Sequence, residues 1–298
     1  MFKNILVPLD GSNLSEASLA PAAYLAKTLE SQITLLHIIE QDAPAQVHKE
    51  RHLTKPDEAN AYLKEVARRA FPAQVKVKTH VHTVAVSDVA RSIVDHAPEL
   101  KPDLIVICTH GRSGLHDLLY GSIAQQVVAM GTIPILVIKS KIPSFALKTI
   151  LLPLDPDSMH DNSLGVAESL AKIFKAELHL LSIVPTLSTL GDEQAATGNV
   201  MPVTTQAYLD LKVENTRKDL QTHIDAFHKG HLKAIAQIAR GDPASSIVKI
   251  AEQSGTDMII LSTHRKAGMG AFWARSVAPK VAQKTKTPLL LIPLIEGQ

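Results

Sequence analysis

The chain repeats itself, and this limits what it can fold into more than any local motif does. "NILVPLD" at 4–10 returns as "TILLPLD" at 149–155, a shift of 145 positions. "DLIVICTHG" at 103–111 returns as "DMIILSTHR" at 257–265, and "IPILVIK" at 133–139 returns as "TPLLLIP" at 287–293, both shifted by 154. The 298 residues therefore read as two copies of one domain, 1–141 and 146–298, each large enough to bury its own core. The extra nine positions must enter between the matched segments. The stretch "PTLSTLGDEQAATGNVMPVTTQ" at 185–206 supplies them and reads as a mobile loop.

Within a copy, short apolar runs alternate with helical patterns. In the first, "ILVPL" is followed by "LSEASLAPAAYLAKTLE", where Leu14, Leu25, Ala26 and Leu29 can share a helix face, Asn13 and Glu16 resemble a capping box, and Pro21 predicts a kink. "QITLLHII", a helix through "EANAYLKEVARRA", "VKVKTHVHTV", a helix at "VARSIVDHA", "DLIVI", a helix after Gly121 and "IPILVI" complete the series. Runs of β-branched residues without polar alternation suit a sheet covered on both faces. The expected class is α/β, an open, doubly wound parallel sheet of five strands in each copy. Ligands in such sheets sit beyond the carboxyl ends of the strands where the order switches, so Asp10 and the segment Cys108 to Gly111 can line one crevice.

Charge and cysteine content narrow the partners. With 31 Lys and Arg against 29 Asp and Glu and no dense basic run, nucleic acid is not favoured. Cys108 is the single cysteine, which excludes an intramolecular disulfide, and the apolar run in "MFKNILVPLD" is too short for a signal peptide or a membrane span. A soluble cytoplasmic protein without a membrane partner is expected.

The stretch "CTHGRSGLHDLLYGS" at 108–122 is rich in glycine between a strand and a helix. Gly111 and Gly121 are separated by nine residues, and Gly121-Ser122 opens a helix whose apolar positions Ile123, Val127 and Met130 recur at helical spacing before Gly131 and Pro134 stop it. Glycine lets backbone approach an anion closely, and the N–H groups of Ser122 and Ile123 would point at it along the helix axis. As bare physics these residues speak only weakly for an anion site, because glycines after strands more often make ordinary turns.

The two-copy pattern resembles a tandem universal stress protein (UspA) over essentially the whole chain, through "ILVPLDGS", "LLHII", "DLIVICTHGRSGLHDLLYGSIAQQVV" and the terminal "PILVIK". That family's nucleotide signature is Gly, two residues, Gly, nine residues, Gly, then Ser or Thr. Here Gly111, the nine-residue spacer, Gly121 and Ser122 match, and Cys108 stands at the first glycine. The resemblance implies the family's adenine nucleotide alpha hydrolase-like fold and a site for ATP or another adenine nucleotide, with Mg2+ as an optional companion. It places Asp10 on the ribose, Pro8 and Leu9 beside the nucleoside, and Ile38 against adenine. Gly111, Gly121, Ser122 and Ile123 would hold the phosphates, with Ile107, Cys108, His110 and Ala124 around them. It also implies that the terminal strands associate as an internal pseudo-dimer, with a homodimer as a further option.

The second copy departs from this pattern, with Ser262 and Arg265 at the two early glycine positions, Arg275 before Ser276, and Pro156 in place of Gly11. It reads either as a degenerate structural copy or as an anion pocket built from Arg265, Lys266 and Arg275. His80 and His82 share a strand face, but two ligands do not make a metal site, and no third is evident in sequence. His223, His228 and His231 read as a solvated helix end, Phe272 and Trp273 as packing residues, and His110 as serving the loop or the phosphate equally. Three functions follow: a nucleotide-binding stress-response regulator that is not an enzyme, a nucleotide-independent scaffold, and a weak ATP hydrolase. The first is preferred, on the family resemblance more than on the residues themselves, and no carboxylate and base pair with convincing spacing accompanies the loop to favour the hydrolase.

Overall fold

Ile5, Leu6 and Val7 are consecutive and all buried, so the first strand has no solvent face. A computed structural model of the chain describes residues 1–47, 50–109, 123–139, 145–155, 162–190, 196, 200–264 and 277–294. The first repeat contributes β1 (Asn4–Pro8), β2 (Gln32–Glu40), β5 (Val77–Val86), β6 (Leu104–Thr109) and β7 (Ile135–Lys139), paired in the order β5-β2-β1-β6-β7 and all parallel. A two-stranded hairpin, β3 (Gln46–Val47) with β4 (Glu50–Arg51), lies outside this sheet. The second repeat contributes β8 (Thr149–Leu154), β9 (Glu177–Val184), β10 (Ala234–Arg240), β11 (Met258–His264) and β12 (Leu289–Leu294). Of these, β10-β9-β8-β11 form the same parallel order.

Two compact units result. One holds β1 to β7 together with β12, and the other holds β8 to β11. The first unit thus includes the last strand of the second repeat, which pairs antiparallel with β7 in the register Leu289 to Val137, Leu290 to Leu136 and Leu291 to Ile135. An apolar edge strand left bare would template aggregation, and this pairing covers it.

Each repeat opens with the same clasp. The N–H groups of Lys3 and Asn4 donate to the carboxylate of Asp103 at 2.6 and 2.9 Å, and those of Lys148 and Thr149 donate to Asp257 at 2.8 and 2.9 Å. The repeat visible in "DLIVI" and "DMIIL" is therefore also a repeat of hydrogen bonding. The helices α1 (Leu19–Leu29), α2 (Pro56–Ala70), α3 (Val89–Asp95), α4 (Ala97–Leu100), α5 (Ile123–Met130) and α6 (Asn162–Phe174) are followed by helices at Pro202–Lys229, Pro243–Gln253 and Val277–Lys284. Asp88 and Asp242 cap α3 and the Pro243–Gln253 helix by accepting from the N–H groups of Arg91 and Ser245, so these two residues mark matching points of the repeats. Gly131 ends α5: its N–H donates to the Val127 carbonyl, and a Cβ there would lie 2.8 Å from that oxygen.

Three expectations need correction. Asn13 and Glu16 form no capping box. The Asn13 side chain and N–H bond Glu50 instead, while Glu16 accepts from the Tyr62 hydroxyl at 3.0 Å and from Arg69 at 2.5 Å, so tertiary partners outcompete the local pair. Pro21 does not kink a helix, because a 3-10 turn at Ser15–Ser18 precedes α1 and the proline falls in its first turn, where no N–H is needed. The long insert ends sooner than its composition suggests, since Pro202 begins a helix that runs to Lys229. No helix among the described residues is long and apolar enough to cross a membrane.

Candidate functional site

The chain runs from β1 outward through β2 to β5, then returns to β6 on the other side of β1, so the order switches between β1 and β6. Above that switch lies a cavity of about 350 Å³. Pro8, Leu9 and Asp10 line it from β1, Ile38 from β2, Ile107 and Cys108 from β6, and Ile123 and Ala124 from α5. All eight are positions the sequence nominated. His110, Gly111, Gly121 and Ser122 lie outside the described residues, as do Arg265, Lys266, Phe272, Trp273, Arg275 and Ser276.

The floor is apolar because the sheet beneath it is core: Leu9, Ile38, Ile107 and Ala124 are buried, and Ile123 is exposed at the mouth. Polarity enters at one edge. Asp10 Oδ1 accepts from the Ser12 N–H at 2.9 Å and from its hydroxyl at 2.7 Å, the Ser15 hydroxyl donates to the Ser12 carbonyl, and Gly11 takes φ +91° to make the turn. Local bonds of this kind are what Asp and Ser provide in turns, and they fix the carboxylate against the cavity. His37, fully buried behind this loop, bridges the Leu9 carbonyl at 2.8 Å and the Leu53 carbonyl at 3.0 Å, tying the β1 loop to the segment after β4.

Sequence reasoning missed His52, Glu40, Val89, Ile93 and Thr109, which also line the cavity. His52 is buried with Nδ1 unpartnered and Nε2 3.8 Å from Glu40. It sits beside a two-residue strand that carries no motif, so only the fold reveals it. Val89 and Ile93 come from α3, whose apolar spacing was legible but whose orientation toward this crevice was not.

Burial, with the Asp10 carboxylate adding to it, pushes the Cys108 thiol up to about 12. The side chain at the position of the family's first glycine is therefore a small neutral group, with Sγ 3.7 Å from the Thr109 carbonyl. Only the thiolate reacts, so alkylation of this single thiol at pH 8 is expected to run slower than that of an exposed cysteine by a factor of about 10 or more. A thiol-quantifying reagent on native and on denatured protein measures this directly, and equal rates would place the sulfur in the open.

The Universal stress protein family model matches residues 1–139 and again 146–293. A universal stress protein of Methanocaldococcus jannaschii is 32% identical over 146 residues, covering 47% of this chain and 83% of that protein. One of Mycolicibacterium smegmatis is 21% identical over 308 residues and spans 97% of this chain and 96% of its own. The crystal structure of a universal stress protein from Archaeoglobus fulgidus superposes with a TM-score of 0.74 at 16% identity, covering 99% of this chain and 97% of that one, which shows a common fold. Matched twice along nearly its whole length, the chain belongs to the universal stress protein family as a tandem member.

Proposed function

We propose that the first repeat binds an adenine nucleotide, ATP or a shorter form with or without Mg2+, and that the protein is a cytoplasmic stress-response regulator rather than an enzyme. The observation that carries this reading is the cavity at the switch between β1 and β6. It offers an apolar slot suited to a flat base and, at one edge, a carboxylate whose position is set by its own turn. A ribose diol can donate to Asp10 while the base lies against Ile38, as the family resemblance implies. The phosphates would then extend toward the glycine segment before α5, where Gly111, Gly121 and Ser122 supply backbone N–H groups with little side-chain bulk in the way. Asp10 is committed to Ser12, which suits a positioning role better than that of a base that must give and take protons. The second repeat, with arginines at two of these glycine positions, serves in this reading as a structural copy, and the boundaries proposed for the two domains remain 1–141 and 146–298.

Nucleotide analysis of protein denatured directly after purification tests the reading. Adenine nucleotide is expected near one equivalent per chain. Asp10→Ala should weaken binding about 10- to 100-fold, the worth of charge-assisted hydrogen bonds to the sugar. Gly121→Arg, which copies the second repeat, should abolish retention while the circular dichroism spectrum stays unchanged. Retention that survives Gly121→Arg would remove the phosphate segment from the proposal, and ATP turnover in a single-turnover assay would move the protein into the enzyme class.

A further inference from the structure

The strand-face pair His80 and His82 gains in the fold the partners that sequence spacing could not supply. Both lie on β5, opposite Leu36 and Ile38 of β2. The turn between α3 and α4 brings His96 against them, with ring centroids 5.1 Å from His80 and 4.9 Å from His82. Glu99, one turn further along α4, completes the group: one ligand atom from each of His80, His96 and Glu99 lies within 4.8 Å of the other two. From these juxtapositions we infer that the first repeat carries a binding site for a borderline divalent transition metal, Zn2+ above all, made by His80, His96 and Glu99, with His82, packed on His96, placed to turn in as the fourth ligand.

The donor set selects the metal class. Three imidazoles and one carboxylate suit Zn2+ and its neighbours, whereas Mg2+ and Ca2+ require oxygen ligands. Four ligands at about 2.0–2.1 Å from a tetrahedral ion stand roughly 3.4 Å apart. His80, His96 and Glu99 must therefore draw in from separations of up to 4.8 Å and His82 must turn toward them, and exposed Glu99 and the partly exposed His80 and His82 are the side chains able to move.

One ligand is already oriented. The buried ring of His96 has Nδ1 2.6 Å from the Ser92 carbonyl, which can only accept a hydrogen bond, so Nδ1 is the donor and Nε2 is the nitrogen left to meet a metal. A backbone carbonyl behind a histidine in this way is the outer-shell arrangement that metal sites use to fix a tautomer. An open cavity lined by His82, Asp88, Asp95, His96 and Glu99 gives an ion a way in, and Arg91 there is paired with Asp95 at 3.0 Å.

The second repeat shows that the fold does not require this cluster. Its corresponding strand, β10, reads "AIAQIAR" and contains no histidine, cysteine or carboxylate. Counting eight and eleven residues from the matching caps Asp88 and Asp242 leads to His96 and Glu99 in the first repeat, and to Ile250 and Gln253 in the second. The same scaffold folds around apolar and neutral side chains at those places. Two imidazoles packed against a third, His96, are thus particular to the first repeat.

Titration of the full-length, tag-free protein with Co2+, followed by visible absorbance and by displacement with Zn2+, tests the inference. One Co2+ per chain with the intense bands of a four-coordinate site is expected, together with a rise in melting temperature on adding Zn2+. His80→Asn and Glu99→Gln alter partly exposed and exposed side chains and leave the Ser92 contact of His96 intact, so both should fold as the parent does. Each should weaken binding by about 100-fold, the upper end of what even an outer-shell loss costs. His231→Asn, at an exposed histidine of the other repeat with φ +58°, should bind as the parent does. Unchanged affinity in His80→Asn, weak six-coordinate bands, or no saturable binding would each overturn the site, whatever the nucleotide measurements give.

Discussion

Gly11→Pro, which gives the first repeat the residue found at the matching place in the second, is expected to abolish nucleotide retention and to lower stability by about 3 kcal/mol or more. Gly11 sits at φ +91°, where a proline ring cannot go. The turn it makes carries Asp10 on one side and Ser12 on the other, so a changed path there moves the carboxylate and its two donors together. Space is short as well: a Cβ on Gly11 would lie 2.8 Å from Leu53 Cδ1 and 2.9 Å from Leu53 Cγ, and the Leu53 carbonyl is held by His37. Gly11→Ala separates the contributions, since alanine costs about 1–2 kcal/mol for the left-handed backbone and must also push Leu53 aside. Denaturant melts and nucleotide analysis of both variants measure the effect. A Gly11→Pro protein that retains nucleotide at parental stability would show that this turn does not set the Asp10 position.

Leu136→Asp is expected to prevent stable folding. Leu136 is fully buried in β7, flanked by Val106 on β6 and Leu290 on β12. Losing the leucine removes about 1.5–3 kcal/mol of apolar burial, and leaving a polar group there without partners adds several more. The sum is roughly 5 kcal/mol or more, comparable with the whole stability of an ordinary domain. Leu136→Met keeps the volume and should cost less than about 1.5 kcal/mol. Soluble yield and cooperative urea unfolding distinguish the two. A cooperative Leu136→Asp transition at the parental midpoint would mean that β7 has an open face.

Much of the fold was legible because its physics is periodic. The matched segments at 4–10 and 149–155 became equivalent strands β1 and β8, and unbroken apolar runs such as "DLIVI" became buried parallel strands, since a strand covered on both faces has no polar alternation to show. The lining of the cavity was legible too, because Pro8, Leu9 and Asp10 and the pair Ile107 and Cys108 lie at or just beyond the carboxyl ends of two strands that the topology brings together. What escaped was tertiary choice. Glu16 takes Tyr62 and Arg69 in preference to a local cap, and nothing within a few residues of it announces partners 46 and 53 positions away. His96 and Glu99 escaped in the same way: they lie on a different element from His80 and His82, and the β5 to α3 connection alone decides that they meet.

The antiparallel seam between β7 and β12 has a consequence for biosynthesis. Leu136 leaves the ribosome 154 residues before its neighbour Leu290, a delay on the order of ten seconds at ordinary elongation rates. During that interval the nascent amino-terminal half carries an open row of N–H and C=O groups along an apolar border, a surface that chaperones or a neighbouring polysome chain can capture. A premature stop codon just upstream of β12 would therefore harm first the half of the protein already made.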